Sequence, residues 1–532
     1  MAILATACAS QPARHAQVDA IFKTWDGATT PGCAVAISRN GSLEYSRGYG
    51  MSNLEHDIPI TPRSIFPGAS LAKQFIAFAV GLLAQDGKLS LDDAIRKYVP
   101  EIPDYGRTIT IAHLIHHTSG LREQGQLLNF AGWRGGDLYT EEDILSVLSR
   151  QRRLNFEPGS EIVYTNAAYT LLGVIVRRVS GQSLREFAEN RIFEPLGMTD
   201  THFGDDHTEI VPRRASAYSP RAGGGWSENV PYGTSIGLFT TTGDLLKWQQ
   251  NLVDARVGGP PLIAWMRTSG KLSDGTETGY GGGLFMGDYR GLRTVRHDGF
   301  DGGYRAEAVL FPDHGLAIVA LCNAATVEPT DRTRRVADLY LGDQMRSPAL
   351  APVVSATDAE QSAWAGVYWS PSTDEVVRME WKDGALRQIG SATPFVPIGD
   401  GVFRPSDLPH EWRFVQSDAQ PELHIRDAWP APRIFRRVTS ALPDVAALSA
   451  FAGQYHSEET DMTYTVRVSD GRLRLTWPRQ YDIALEPVGG DRFVGSRGTV
   501  TFTRTASGDV SGLSISNRRL RRLEAHRVRS DQ

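Results

Sequence analysis

SIFPGASLAKQF, residues 64–75, joins an extended segment to an apolar helix at a serine. From Ser70 onward, Leu71, Phe75, Phe78, Ala79 and Leu82 recur at helical spacing, and Gly87 stands where a left-handed C-cap residue belongs. Positions i and i+3 of a helix share a face, so Lys73 is expected beside the Ser70 hydroxyl. A serine is a weak nucleophile until a base takes its proton, and burial among apolar neighbours lowers a lysine pKa enough for that task. The helix N-terminus adds partial positive charge where an oxyanion would form. Ser-x-x-Lys alone is common. Its place at the head of an apolar helix is what points to a nucleophile with its base.

Upstream, CAVAISRNGSLEYSRGYG (33–50) alternates on both sides of Asn40-Gly41, the preferred pair of a type I′ turn, and predicts a β-hairpin. Downstream, helical patterns cover 141–148, 166–179 before Gly181, and 242–252 with Asp244 in the first turn. LRTVRH (292–297), AEAVLF (306–311) and GLAIVALCN (315–323) read as strands, the last apolar enough to be central. Strands from both ends of a segment, with helices between them, predict an α+β layered domain over residues 1–345.

Two further motifs fall inside that domain. Tyr164-Thr165-Asn166 opens the helix at 166, where Asn166 also fits as an N-cap. Read as chemistry, Tyr164 shuttles the proton, its phenolate held by a nearby ammonium, and Asn166 bonds the substrate amide. His297-Asp298-Gly299 lies on a predicted strand. Gly299 there would let substrate backbone approach, and the Phe300 N–H would pair with the Ser70 N–H as an oxyanion hole.

At SPALAPVV (347–354) the composition shifts to Pro and Ala, which reads as a linker, and the helical pattern stops. Short alternating strands with Asp-Gly turns replace it, and they repeat. AWAGVYWS (363–370) matches AFAGQYHS (450–457), and Asp383-Gly384 matches Asp470-Gly471 at the same offset of 87 residues. Pro397 with Pro487 and Phe403 with Phe493 give an offset of 90. Two copies of one antiparallel unit, each long enough to close as a small lipocalin-like β-barrel, are expected over 346–440 and 441–532, with SALPDV (440–445) between them.

The order and spacing of the three motifs resemble the penicillin-binding-protein and serine β-lactamase superfamily. HLIHHTSGL (113–121), FEPGSEIVYTN (156–166), PLGM (195–198) and GLFTTTGDLLKW (237–248) fit as well, and the likeness spans residues 20–330. Within the superfamily the chain is most similar to the D-aminopeptidase branch, whose members carry S-x-S-K-Q-F, Y-x-N and H-x-G and add two eight-stranded barrels. This chain departs at Ala72, where the second serine would stand. The resemblance implies an acyl-enzyme serine hydrolase with Ser70, Lys73, Tyr164 and His297 as catalytic residues, and with Ser70, Phe300, Asn166 and Gly299 around the substrate. It also implies that a loop of the third domain reaches the active site; the corresponding segment is 477–482, with Asp482 as the candidate contact.

Most β-lactamases and carboxypeptidases of that superfamily carry Lys-Thr-Gly where this chain has His297-Asp298-Gly299. Imidazole is largely neutral at pH 7 and Asp298 adds negative charge, so substrates lacking a carboxylate at that end are expected. A D-stereospecific aminopeptidase or amidase leads. A promiscuous esterase or weak β-lactamase-like hydrolase follows, and a non-catalytic penicillin-binding-type sensor is the alternative of another class.

The 532 residues carry a formal net charge of −5, too acidic for a nucleic-acid partner to be expected. Arg518-Arg519-Leu520-Arg521-Arg522 reads as a solvated terminal strand. Cys8, Cys33 and Cys322 are far apart and odd in number, which predicts inert thiols rather than a disulfide or metal site. His113, His116 and His117 lack the Glu of a zinc H-E-x-x-H and read as loop residues, and the runs 223–225 and 281–283 read as glycine turns. No cofactor or metal is expected. The partner is a small-molecule or short-peptide substrate, and a homodimer is the association state considered. No run of 18 apolar residues would span a bilayer. Leu4 to Cys8 resembles the tail of a lipoprotein signal, which leaves cytoplasmic and periplasmic locations both open.

Overall fold

A computed structural model describes residues 11–229, 237–347, 350–406, 410–417, 420–426, 432–438, 443–444, 446–479 and 482–528. The lipoprotein-like segment at 4–8 and parts of both linkers lie outside them. The hairpin forms as Cys33–Arg39 and Ser42–Tyr49, with Asn40 and Gly41 in the left-handed turn. It closes one side of a six-stranded antiparallel sheet in the order Phe285–Tyr289, Leu292–Asp301, Tyr304–Phe311, Leu316–Cys322, Cys33–Arg39, Ser42–Tyr49. Leu316–Cys322 is buried at every position, as its unbroken apolar run requires.

Alternation along Cys33–Arg39 divides the domain into layers. Cys33, Val35 and Ile37 pack with Val18 and Phe22 of helix Gln11–Phe22 and with Val336 of Pro329–Leu341. Ala34 and Ala36 face the larger core that holds helices Ala72–Gln85, Asn166–Ser180 and Thr242–Asp254. Cys33 and Cys322 lie directly opposite each other on paired strands, with Cα atoms 4.0 Å apart, and their sulfurs are bonded. The expected inert thiols are therefore corrected for this pair. Distance along the chain says nothing about two residues that one strand pairing makes neighbours.

Two closed eight-stranded barrels follow, running from Gly366–Trp369 to Arg433–Arg437 and from Gly453–Ser457 to Leu520–Arg527. The repeat holds in detail. The Tyr368 hydroxyl donates to the Trp364 carbonyl at 3.0 Å, as Tyr455 does to Phe451 at 2.7 Å. Arg437 donates to the carbonyls of Ala363 and Ala365, as Arg527 does to Ala450 and Ala452. The strand irregularities fall at matching positions, Pro397/Gly399 and Pro487/Gly489. The sequence offset has passed from 87 to 90 before them, between the strands Ala385–Gln388 and Pro394–Gly399 of the first barrel and their counterparts in the second.

The first barrel closes around a core of its own that includes Tyr368, Phe403 and Phe414. The core of the second, with Tyr455, Tyr464 and Trp477, is continuous with that of the catalytic domain through Phe130. The Trp477 indole N–H donates to the Asn129 carbonyl at 2.9 Å and the Tyr464 hydroxyl to the Phe130 carbonyl at 3.0 Å. Arg122, its side chain wholly buried, pairs with Glu459 and donates to the carbonyls of Arg521 and Arg522 at 2.8 and 2.9 Å. The basic run at 518–522 is thus a turn and strand start set against the other domains rather than a fully solvated strand: Arg521 is buried and paired with Glu161, and the exposed Arg522 is paired with Asp374 of the first barrel. Charge density alone cannot distinguish a solvated face from one that finds carboxylates on a neighbouring domain. Among the described residues no helix is long and apolar enough to cross a membrane.

Candidate active site

Ser70 occupies a 3-10 turn, Ala69–Leu71, that leads into the helix Ala72–Gln85. The strand Leu292–Asp301 lies against that turn. A Cβ on Gly299 would stand 2.6 Å from the Gly68 carbonyl oxygen, so the glycine makes room for the serine turn and not, as expected, for substrate backbone. A Cβ on Gly283 would meet the Lys73 carbonyl oxygen at 2.5 Å, so the glycine run at 281–283 is a close packing against the nucleophile helix.

Lys73 is buried, with Nζ 3.1 Å from Ser70 Oγ and 2.8 Å from Asn166 Oδ1. Burial lowers its pKa to about 8; Glu123 opposes that shift and the Arg519 guanidinium adds to it. Both ends of the Asn166 amide are engaged within the protein: Oδ1 accepts from Lys73, and Nδ2 donates to Glu123 Oε1 at 3.0 Å. Asn166, expected on the substrate, is placed to aim Lys73. Glu123, which the motifs did not reveal, aims Asn166; its other carboxylate oxygen accepts from the Asn166 backbone N–H at 2.7 Å. An acidic residue capping a short helix, here Gln124–Phe130, carries no sequence signal of such a role.

Tyr164 lies close enough to Ser70 for the serine to act on its titration, and burial holds its hydroxyl well above the usual phenol range. Its ring lies 4.9 Å from Lys73 Nζ and 5.2 Å from the Arg519 guanidinium. The resting group is therefore a phenol, which corrects the expected phenolate: loss of hydration outweighs the two nearby cations.

His297 is only 1% exposed. Its Nδ1 lies 2.6 Å from the Asp298 carbonyl oxygen and its Nε2 lies 3.1 Å from the Tyr280 hydroxyl. A carbonyl only accepts, so Nδ1 carries the proton and Nε2 accepts from Tyr280. Burial lowers the His297 pKa to about 4, so the imidazole is neutral, as expected. It lies packed near Tyr164, Tyr280 and Phe285 and is not among the residues that line the cleft over Ser70. The Asp298 carboxylate is paired with Arg296 at 3.1 Å, so its charge is compensated. Tyr280 is a second residue that the motifs missed.

The three histidines of the 113–117 stretch have structural work. His113 completes a capping box with Thr110, His116 Nδ1 lies 3.1 Å from the Tyr280 carbonyl, and His117 packs against the Tyr164 ring at 4.3 Å. A cleft of about 550 Å³ opens over Ser70 and Lys73, lined also by Asn166, Leu238, Phe300 and Asp301. Asp482 is not brought to it. Held by Arg467 and by Arg474 at 2.6 Å, it caps the start of its own strand, while Gln480 and Tyr481 lie outside the described residues. The second barrel reaches the site through a different hairpin. The turn between Val510–Asn517 and Leu520–Arg527 is pinned where the Arg519 carbonyl accepts from Glu123 N at 3.1 Å and from Asn155 Nδ2 at 2.9 Å, and it sets Arg519 over Tyr164.

Residues 18–342 match the family described as Beta-lactamase, and residues 439–527 match a domain of unknown function (DUF3471). A D-aminopeptidase of Gluconobacter oxydans (strain 621H) is 26% identical over 298 residues, covering 55% of this chain and 56% of that protein. A D-aminopeptidase of Brucella anthropi is 24% identical over 519 residues, covering 94% of this chain and 95% of that protein. The octameric penicillin-binding protein homologue from Pyrococcus abyssi shares the fold, with a TM-score of 0.55 and 23% identity over 85% of this chain and 95% of that one. The chain belongs to the beta-lactamase family: its first domain is that of a serine hydrolase, and two eight-stranded barrels follow it.

Proposed function

We propose that the chain hydrolyses D-amino acid amides, or the N-terminal D-residue of short peptides, through an acyl-enzyme on Ser70. The observation that carries the reading is the buried Lys73 amine 3.1 Å from Ser70 Oγ, with the Tyr164 ring 4.9 Å from the same amine. Two D-aminopeptidases among the relatives support the acyl class. Lys73 in its neutral form takes the Ser70 proton as Oγ bonds the substrate carbonyl carbon, and the carbonyl π pair becomes an oxyanion that the Ser70 and Phe300 N–H groups receive. Tyr164 then gives its phenolic proton to the leaving nitrogen as the C–N bond breaks, and the Lys73 ammonium restores that proton to Tyr164. Water attacks the acyl ester by the same relay, releasing the acid and Ser70. His297 acts as a positioning residue through Tyr280, and Asp301 supplies a cleft carboxylate for the substrate α-ammonium.

The test compares D-alanine p-nitroanilide, its L-enantiomer and a short-chain p-nitrophenyl ester. Turnover of the D-anilide well above the L-anilide is the expected result. Ester turnover without any anilide turnover would assign an esterase instead.

A further inference from the structure

We infer that Arg519, delivered from the second barrel, binds a carboxylate on the leaving group, so that the preferred substrates are D-aminoacyl peptides with a free C-terminus next to the scissile bond. This rests on the acyl-enzyme reading above and adds the chemistry of the leaving side. Four observations carry it.

First, Arg519 is exposed, and among the described residues no salt bridge reaches it, whereas Arg521 pairs with Glu161 and Arg522 with Asp374. An arginine left without a carboxylate, in a turn whose neighbours have theirs, is a site for an external anion. Second, the residue is held in place. Its backbone N–H donates to Asn517 Oδ1 at 3.1 Å, and its carbonyl accepts from Glu123 and Asn155. Third, the guanidinium lies 5.2 Å from the Tyr164 ring centre, a cation–π contact that leaves its N–H fork available. Fourth, the guanidinium is near enough to the buried Lys73 amine to disfavour its ammonium form, which places it beside the group that serves Ser70. Its contact with the Tyr164 ring sets it beside the group assigned to protonate the leaving nitrogen, within reach of what is attached to that nitrogen. The neutral His297 leaves the third motif without a cation, and Arg519 supplies one from another domain.

The experiment measures kcat/KM for a D-alanyl-D-alanine dipeptide and for its C-terminal amide, with wild type and with R519A, R519Q and R519K. The expected result is a wild-type preference for the free acid that falls about ten- to hundredfold in R519A and R519Q, the range of one charge-assisted hydrogen bond, and is partly kept in R519K. Because the anchoring contacts of Arg519 are made by its backbone, these variants are expected to keep the turn, which thermal melts check. An unchanged acid-to-amide ratio in the folded variants, or an equal loss on both substrates, would overturn the assignment while leaving the acyl-enzyme reading in place. Wild type that cleaves neither compound would overturn that reading itself.

Discussion

The two barrels are copies of one fold put to different uses. Each has eight strands, the same tyrosine-to-carbonyl bond and the same arginine across its seam. Yet the first encloses a core of its own, and the second merges its core with the catalytic domain and sets Arg519 beside Tyr164. The difference lies in a few side chains at matching positions. Tyr464, which donates to Phe130, corresponds to Val377, and Glu459, which neutralises the buried Arg122, corresponds to the exposed Ser372. A repeated barrel becomes part of an active site when its rim carries groups that another domain has buried the partners for.

Ending the chain after Arg437 tests this most severely. It would leave Arg122 without its carboxylate and uncover Phe130, so loss of the cooperative melt and aggregation of the catalytic domain are expected. A soluble truncate with wild-type melting would show that the shared core is dispensable. Next in size, Glu459→Ala leaves a buried guanidinium unpaired and should cost about 3–5 kcal/mol in denaturant unfolding, whereas Ser372→Ala should stay within about 0.5 kcal/mol. Equal effects would erase the contrast. Tyr464→Val, which gives the second barrel the residue of the first, removes a packed ring and a hydrogen bond and should cost about 2–4 kcal/mol.

The smallest effect is on titration. Activity should rise with pH through about 8, as the Lys73 ammonium loses its proton and becomes able to accept one from Ser70. Removing the Arg519 cation, which disfavours that ammonium, should move this limb to higher pH. A limb that stays in place in R519A would show that the second barrel does not act on Lys73.

Readability from sequence divided along the same line. Ser70 and Lys73 are legible because a helix turn joins them, Tyr164 because it precedes a helix start, and the barrels because the chain repeats itself. Glu123, Tyr280 and Arg519 are not, because their partners lie in distant segments: Glu123 meets Asn166 and Arg519 only after three stretches of chain have packed. The same holds for Cys33 and Cys322, adjacent only through a strand pairing. Asp482, expected at the cleft, pairs instead with Arg467 and Arg474 of its own barrel, for the complementary reason. A loop position borrowed from a family pattern does not say which hairpin of this barrel is long enough, or polar enough, to reach the serine.

Intact-protein mass spectrometry after brief exposure to a fluorophosphonate, and after acid quench of a D-aminoacyl ester reaction, tests the proposed chemistry most directly. One adduct per chain is predicted, mapping by peptide digestion to Ser70, absent in Ser70→Ala, and formed about 10²–10⁴ times more slowly in Lys73→Ala and in Tyr164→Phe, with the double variant no worse than the poorer single one. An adduct retained in Ser70→Ala, or mapped to another residue, would contradict it.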